Sequence, residues 1–172
     1  MIIDPQVIKS KSLEHDILCK AIAREKYASL GIVIQECGFF LSMSHPSIGA
    51  TPDSLIGKFT VLEIKCPYNQ RFSMIDESTI PFLLKDKNNT LIMDPTHPYY
   101  YQIQIQLFVT GRIHAKLIVY TFKDFKVIYV PRNDSFIETV VPKLDKFYQE
   151  YLNPLIVEKY LFKNYYKVFK KS

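Results

Sequence analysis

Helical and strand-like patterns alternate along this chain, and their order limits the folds that it can adopt. The predicted elements are a helix over 12–30, strands near 32–34, 38–41 and 59–66, a helix over 98–111, a hairpin over 113–130, a helix over 133–152 and a last helix over 154–171. Strands interleaved with helices favour a layered α/β or α+β fold, in which a central mixed β-sheet is flanked by α-helices.

The chain has the composition of a packed domain, with 172 residues of which 48% are hydrophobic and 23% are charged. We therefore expect a single domain over residues 1–172. Because no window holds about 18 consecutive apolar residues and no secretory signal pattern opens the chain, we expect an intracellular protein without a membrane partner. The nucleus and the cytoplasm both stay open. Three widely spaced cysteines argue against a disulfide framework or a structural zinc site.

Positive charge is concentrated at the end of the chain. The net charge is +5, and the stretch over 143–172 carries seven Lys and three acidic residues. A basic helix over 154–171 could contact an anionic polymer such as DNA, although a solvated lysine-rich helix has the same composition. Charge alone leaves both interpretations open.

One strand carries two charged residues on a common face. Glu63 and Lys65 alternate with apolar residues over 59–66, so their side chains point the same way. A hairpin of this length brings the carboxylate of Asp53 close to Glu63, and the main-chain carbonyl of Ile64 adds a third oxygen. Such oxygens suit a divalent metal, and the Lys65 ammonium can orient a water or neutralise a phosphate oxygen. This set of groups suits hydrolysis of a phosphodiester.

A structural interpretation of the same residues is also open at this point. Asp53 follows Pro52, and aspartate after proline is a frequent turn residue. A Glu-x-Lys pair on an exposed strand is more often solvated than catalytic. Spacing alone does not decide between the two interpretations.

Three short segments are more distinctive together than singly: GATPD at 49–53, EIKCP at 63–67, and YYYQIQ at 99–104 followed by VTG at 109–111. In this order and at these separations they resemble the YqaJ viral recombinase family, relatives of phage lambda exonuclease within the PD-(D/E)xK nuclease superfamily. The similarity spans about 20–155. It implies a restriction-endonuclease-like core and an exonuclease that processes DNA ends in recombination or in the replication of a virus or mobile element.

The resemblance also implies a role for each matching position in a metal-dependent phosphodiester hydrolase. Asp53 and Glu63 match the metal-binding carboxylates, and Ile64 matches the residue whose carbonyl joins them. Lys65 matches the catalytic lysine. The implied cofactor is Mg²⁺, with Mn²⁺ as the alternative.

The glutamine motif and the DNA contacts follow from the same resemblance. The motif falls on Gln102 and Gln104, and we prefer Gln104 as the catalytic member. DNA contacts are expected at Lys20, Arg24, Tyr101 and Gln102. The implied partner is DNA, as linear duplex ends or as a single strand. A homo-oligomer and a single-strand annealing protein stay open as further partners.

Two positions depart from the family pattern. The first-helix signature AREKY at 23–27 is usually preceded by a Glu, which is Lys20 here, and we expect this cation to weaken metal binding unless its ammonium turns toward solvent or DNA. Glu14 and Glu25 lie on other faces of the helix and do not replace it. Ser54 stands where Gly is common, which predicts a strained turn. These departures support two alternatives, a DNA-binding module that does not cut and a protein-interaction scaffold.

Overall fold

The computed structural model describes residues 10–162. The chain divides into two compact units, one over Lys9–Asp134 and the other from Ser135 onward. The elements of the first unit are α1 (Lys11–Ala28), β1 (Phe40–Leu41), β2 (Gly49–Ala50), β3 (Ser54–Ile56), β4 (Thr60–Lys65), β5 (Leu83–Lys85), β6 (Leu91–Met93), α2 (Pro98–Thr110), β7 (His114–Tyr120) and β8 (Phe125–Pro131). No described helix combines the length and apolar character needed to cross a membrane.

A four-stranded sheet forms the centre of the first unit, in the order β3, β4, β7, β8. Strands β4 and β7 are parallel, whereas β3 pairs with β4 and β7 with β8 in antiparallel fashion. Parallel neighbours need a crossover connection, and α2 lies within the one that joins β4 to β7. The predicted mixed sheet with flanking helices is therefore confirmed.

The two helices of this unit cover opposite faces of β4. Leu62 and Ile64 pack with Cys19 and Ala23 of α1 in the main apolar cluster. The intervening Glu63 points to the other face, where α2 lies, because side chains alternate along a strand. The site residues of β4 therefore lie under α2, while α1 closes the opposite side.

Local signals explain where the helices begin and end. Ser10 accepts a hydrogen bond from the Leu13 N–H at the start of α1. Pro98 occupies the first turn of α2, and Gly111 ends it with φ +66°. The alternating Gln and Ile of this segment, which would also suit a strand, thus form a helix as predicted.

Several short elements differ from the predicted ones. Within the described chain, residues 32–34 form no strand, and the nearest pairing is a single bridge between Gln35 and Leu55. Strands β5 and β6 form a hairpin around Asn89, which has φ +59°. The sequence predicts the polar turn at 85–89 but not these strands, which are only three residues long.

The second unit is helical over its described residues. It contains α3 (Asp134–Phe147), whose first residue is the last of the first unit, and α4 (Asn153–Ile156), with π-helical turns at Tyr148–Leu152 and Val157–Phe162. The sequence predicts continuous helices over 133–152 and 154–171, and the π-helical turns are the difference. Residues 163–171 of the predicted basic helix lie outside the described residues.

Candidate active site

Asp53 lies directly before β3, next to the strand β4 that carries Glu63. The antiparallel pairing of the two strands ends at Ser54 and Leu62, so Asp53 is the first residue beyond it. Asp53 Oδ2 also accepts a 2.7 Å hydrogen bond from the Ile64 N–H, which fixes the carboxylate against β4.

Glu63 is 1% exposed and its carboxylate accepts three hydrogen bonds. Oε1 accepts from Lys65 Nζ and from Gln102 Nε2, each at 2.8 Å. Oε2 accepts from Gln106 Nε2 at 2.8 Å. A carboxylate inside a protein needs such donors, because burying its charge without partners is strongly unfavourable. The charge of Glu63 is therefore balanced by one ammonium and two amides.

The Lys65 ammonium is held in one position from three sides. Besides Glu63, it donates a 3.0 Å hydrogen bond to Gln102 Oε1. It also lies 4.1 Å from the centroid of the Tyr99 ring, within the range of a cation–π contact. Lys65 and Glu63 thus share one face and one site, as the alternation along the strand predicts.

The glutamines of α2 separate into two groups. Gln102 and Gln106 lie one helical turn apart and both donate to Glu63. Gln104 is fully buried and takes part in other bonds, since its Nε2 donates to Pro131 O and its Oε1 accepts from the Asn133 N–H, both at 2.9 Å. Gln102 and Gln106 are therefore the glutamines that contact Glu63, and the catalytic role of Gln104 stays a prediction that its contacts do not favour. Tyr101 is 42% exposed.

Lys20 points at the site and not away from it. Its Nζ lies 3.0 Å from Asp53 Oδ1 and 3.5 Å from Asp16 Oδ2, and its side chain is 23% exposed. Burial lowers the pKa of Lys20, but the carboxylates of Asp53, Asp16 and Glu63 raise it more, so the pKa lies above its ordinary value. Arg24 supports the same residue, since Nη2 donates to Asp53 O at 3.3 Å.

Sequence analysis missed Asp16, although the signal was present. Asp16 precedes Lys20 by four residues, the spacing at which an acid and a base meet on a helix. Neither Glu14 nor Glu25 has that spacing to Lys20. Asp16 is therefore the acid of α1 that pairs with Lys20, in addition to Asp53.

Ser54 causes no backbone strain. It is fully buried in β3, and Asn89 is the one non-glycine residue with positive φ in the described part of the chain. The predicted strained turn at this position is therefore wrong, because an extended backbone accepts Ser as readily as Gly.

A cavity of about 350 Å³ opens beside the two lysines. Asp16, Lys20 and Lys65 line it together with the aromatic rings of Tyr68, Phe82 and Tyr99. Its wall thus combines two ammonium groups with three rings, the combination that suits a phosphate joined to a nucleobase.

The oxygen atoms around Asp53 and Glu63 are of the chemical type that binds a magnesium ion. In the described residues no three Asp, Glu, His or Cys side chains cluster as a metal site. Mg²⁺ does not need such a cluster, because it binds through one or two carboxylates and completes its shell with water and substrate phosphates. Asp53, Glu63 and the Ile64 carbonyl are the oxygen donors that would hold it. A cation at Asp53 has to displace the Lys20 ammonium from Oδ1.

A match to a known protein family covers the residues of this site. Residues 8–113, which include Lys20, Asp53, Glu63, Lys65 and the glutamines, match the YqaJ-like viral recombinase domain. The chain belongs to this family. No curated protein sequence matches the chain.

Solved structures agree with the family in fold. An alkaline exonuclease from Laribacter hongkongensis, LHK-Exo, aligns at 24% identity and TM-score 0.65, covering 94% of this chain and 77% of that one. LHK-Exo in complex with dAMP aligns at 25% identity and TM-score 0.66, covering 95% and 78%. A phage-related exonuclease from Haemophilus somnus aligns at 12% identity and TM-score 0.64, covering 91% and 78%.

Proposed function

We propose that this YqaJ-family protein is a metal-dependent deoxyribonuclease that removes nucleotides from DNA ends. The observation that carries the proposal is the convergence of Asp53, Glu63 and Lys65 at the end of β4, beside a cavity with lysine and aromatic walls. The similar LHK-Exo structure contains dAMP, a nucleotide of the kind that an exonuclease releases from DNA.

The residues of this site have separate roles in the proposed reaction. Asp53, Glu63 and the Ile64 carbonyl would hold Mg²⁺ or Mn²⁺. The bound ion supplies a Lewis acid and lowers the pKa of a bound water. Lys65, already fixed by Glu63 and Gln102, presents its ammonium to the negative charge that develops on the phosphate.

DNA would approach from the cavity side. Lys20 and Lys65 line the cavity, and their ammonium groups can bind phosphate oxygens. Tyr68, Phe82 and Tyr99 offer ring faces and edges to an unpaired base. Arg24, Tyr101 and Gln102 stay predicted DNA contacts.

Digestion of end-labelled linear duplex DNA with Mg²⁺ tests the proposal. Wild type is expected to release mononucleotides and to leave covalently closed circular DNA intact. Asp53→Ala, Glu63→Gln and Lys65→Met should each lower the rate by about 100-fold or more. Glu77→Ala removes an exposed carboxylate that pairs with Lys85 and serves as the matched control. Equal digestion by wild type and Asp53→Ala would refute the proposed nuclease activity. Absence of digestion by wild type with every divalent metal would refute it as well.

The Lys20–Asp53 ion pair favours a second candidate function, a DNA-binding module that does not cut. An ammonium at 3.0 Å from Asp53 takes the place where a metal would bind. This candidate predicts binding to DNA ends that weakens with salt, at a slope set by the number of phosphates contacted, and no product with any metal. Absence of DNA binding at low salt would contradict both candidates.

A further inference from the structure

We infer that Asp16 is a positioning residue that receives the Lys20 ammonium when a divalent cation binds Asp53. The inference rests on the metal site of the proposed function and concerns residues that the family pattern does not explain. Lys20 would thus have two alternative partners, Asp53 without metal and Asp16 with metal.

The geometry provides both partners within reach of one ammonium. Lys20 Nζ is 3.0 Å from Asp53 Oδ1 and 3.5 Å from Asp16 Oδ2, so it lies between two carboxylates. Asp16 is one turn away on the same helix, and both side chains line the same cavity. A small change in the flexible lysine side chain is therefore enough to favour either carboxylate.

The balance of charge makes a second partner necessary. Asp16, Asp53 and Glu63 carry three negative charges, and Lys20, Lys65 and Arg24 carry three positive charges, so the cluster is neutral before a metal binds. A divalent cation at Asp53 would repel an ammonium that stayed there. The Lys20 side chain is 23% exposed, so an ammonium without an acidic partner would be only partly hydrated.

Asp16 therefore lowers the free energy needed to displace Lys20 from Asp53. With Asn at this position, the ammonium loses its alternative carboxylate and competes more strongly with the metal. Without Lys20, nothing has to be displaced and the charge of Asp16 matters much less.

Mn²⁺ binding to the full chain without DNA tests this coupling, by titration calorimetry and by the Mn²⁺ paramagnetic resonance signal. Asp16→Asn should weaken Mn²⁺ binding by about tenfold, the usual effect of a residue that supports a metal ligand. Lys20→Met should strengthen binding by about tenfold, and adding Asp16→Asn to Lys20→Met should change it by less than about twofold. Glu14→Gln removes an equal charge from an exposed position of α1 and should leave binding unchanged.

A second measurement follows the lysine directly. The ¹⁵N signal of the Lys20 ammonium, assigned by its loss in Lys20→Met, should shift when Mg²⁺ is added to wild type. In Asp16→Asn the same shift should require about tenfold more Mg²⁺.

The outcomes separate this inference from the proposed function. Equal weakening by Asp16→Asn in the wild-type and Lys20→Met backgrounds would overturn it, because Asp16 would then act on the metal without Lys20. No effect of Asp16→Asn in the wild-type background would overturn it as well. No metal binding in any variant would overturn both the inference and the metal dependence of the nuclease. If Asp16 and Lys20 affect metal binding together but DNA is not cleaved, the inference is supported and the proposed nuclease activity is refuted.

Discussion

Gln106 Nε2 lies 2.8 Å from Glu63 Oε2, and each of these residues is only 1% exposed. The same nitrogen lies 3.4 Å from Thr51 O, so one amide joins α2 both to β4 and to the segment that leads into Asp53. A buried carboxylate is thus held by a neutral donor that is itself buried. This bond satisfies Glu63 Oε2 and also orients a predicted metal ligand.

Replacing Gln106 with Leu should therefore lower the free energy of unfolding by about 2–3 kcal/mol, because Glu63 Oε2 would lose its donor in the interior. Urea unfolding followed by circular dichroism measures the change. Gln35→Leu alters an exposed glutamine and is the control, with an expected change within about 0.5 kcal/mol. A Gln106→Leu protein as stable as wild type would show that the bond contributes little.

Gln104 should behave as a structural residue. Gln104→Leu removes two hydrogen bonds, to Pro131 O and from the Asn133 N–H, and should lower the free energy of unfolding by about 2 kcal/mol. At a temperature where the variant is fully folded, we expect its rate of DNA digestion to stay within about threefold of wild type. A loss of about 100-fold in the folded variant would restore Gln104 as a catalytic candidate.

Gln102 should show the opposite pattern. Its amide nitrogen donates to Glu63 and its carbonyl oxygen accepts from Lys65, so it bonds both charged groups of the site. Because Gln102 is exposed, Gln102→Ala should change stability by less than about 1 kcal/mol while lowering the digestion rate by about tenfold or more. Kinetics and urea unfolding on the same preparation check both parts, and a rate equal to wild type would contradict this role.

Stability should fall in alkaline solution through Cys66. Burial raises the pKa of this thiol to about 12, and nearby Cys19 and Asp16 add to the shift. Because the folded pKa lies above the ordinary value of 9.0, the thiol's contribution to stability is complete below pH 9.0 and is lost as the pH rises toward 12. Cys66→Ala should therefore lose less stability between these limits, as measured by urea unfolding at stepped pH. Parallel losses in both proteins would show that other groups cause the change.

The sequence predicts the common face of Glu63 and Lys65, because one strand carries both residues. Alternation over 59–66 fixes Glu63 and Lys65 on a common face, and Asp53 then follows from a short hairpin. The glutamines could not be assigned in the same way. Gln102, Gln104 and Gln106 occupy every second position of a helix. Their spacing does not reveal which of them lie on the helix face that packs against β4.

Lys20 shows a second limit of sequence reasoning. The sequence shows its charge, but the direction of its long side chain depends on how α1 packs against the sheet. The helix spacing to Asp16 was visible in the sequence, whereas the approach to Asp53 was not, since 33 residues separate Lys20 from it. The short strands β5 and β6 were missed for another reason, because three residues are too few to show a period.

The crossover from β4 through α2 to β7 supplies one part of the site, and earlier segments of the chain supply the other part. Glu63, Lys65, Gln102 and Gln106 all come from this one continuous stretch, whereas Asp53 and Lys20 come from earlier parts of the chain. A substitution in α1 would therefore change the cation beside Asp53 without altering Lys65, Glu63 or their amide donors. The two portions of the site can thus change independently, and the surroundings of Asp53 depend on a single helix that the crossover does not include.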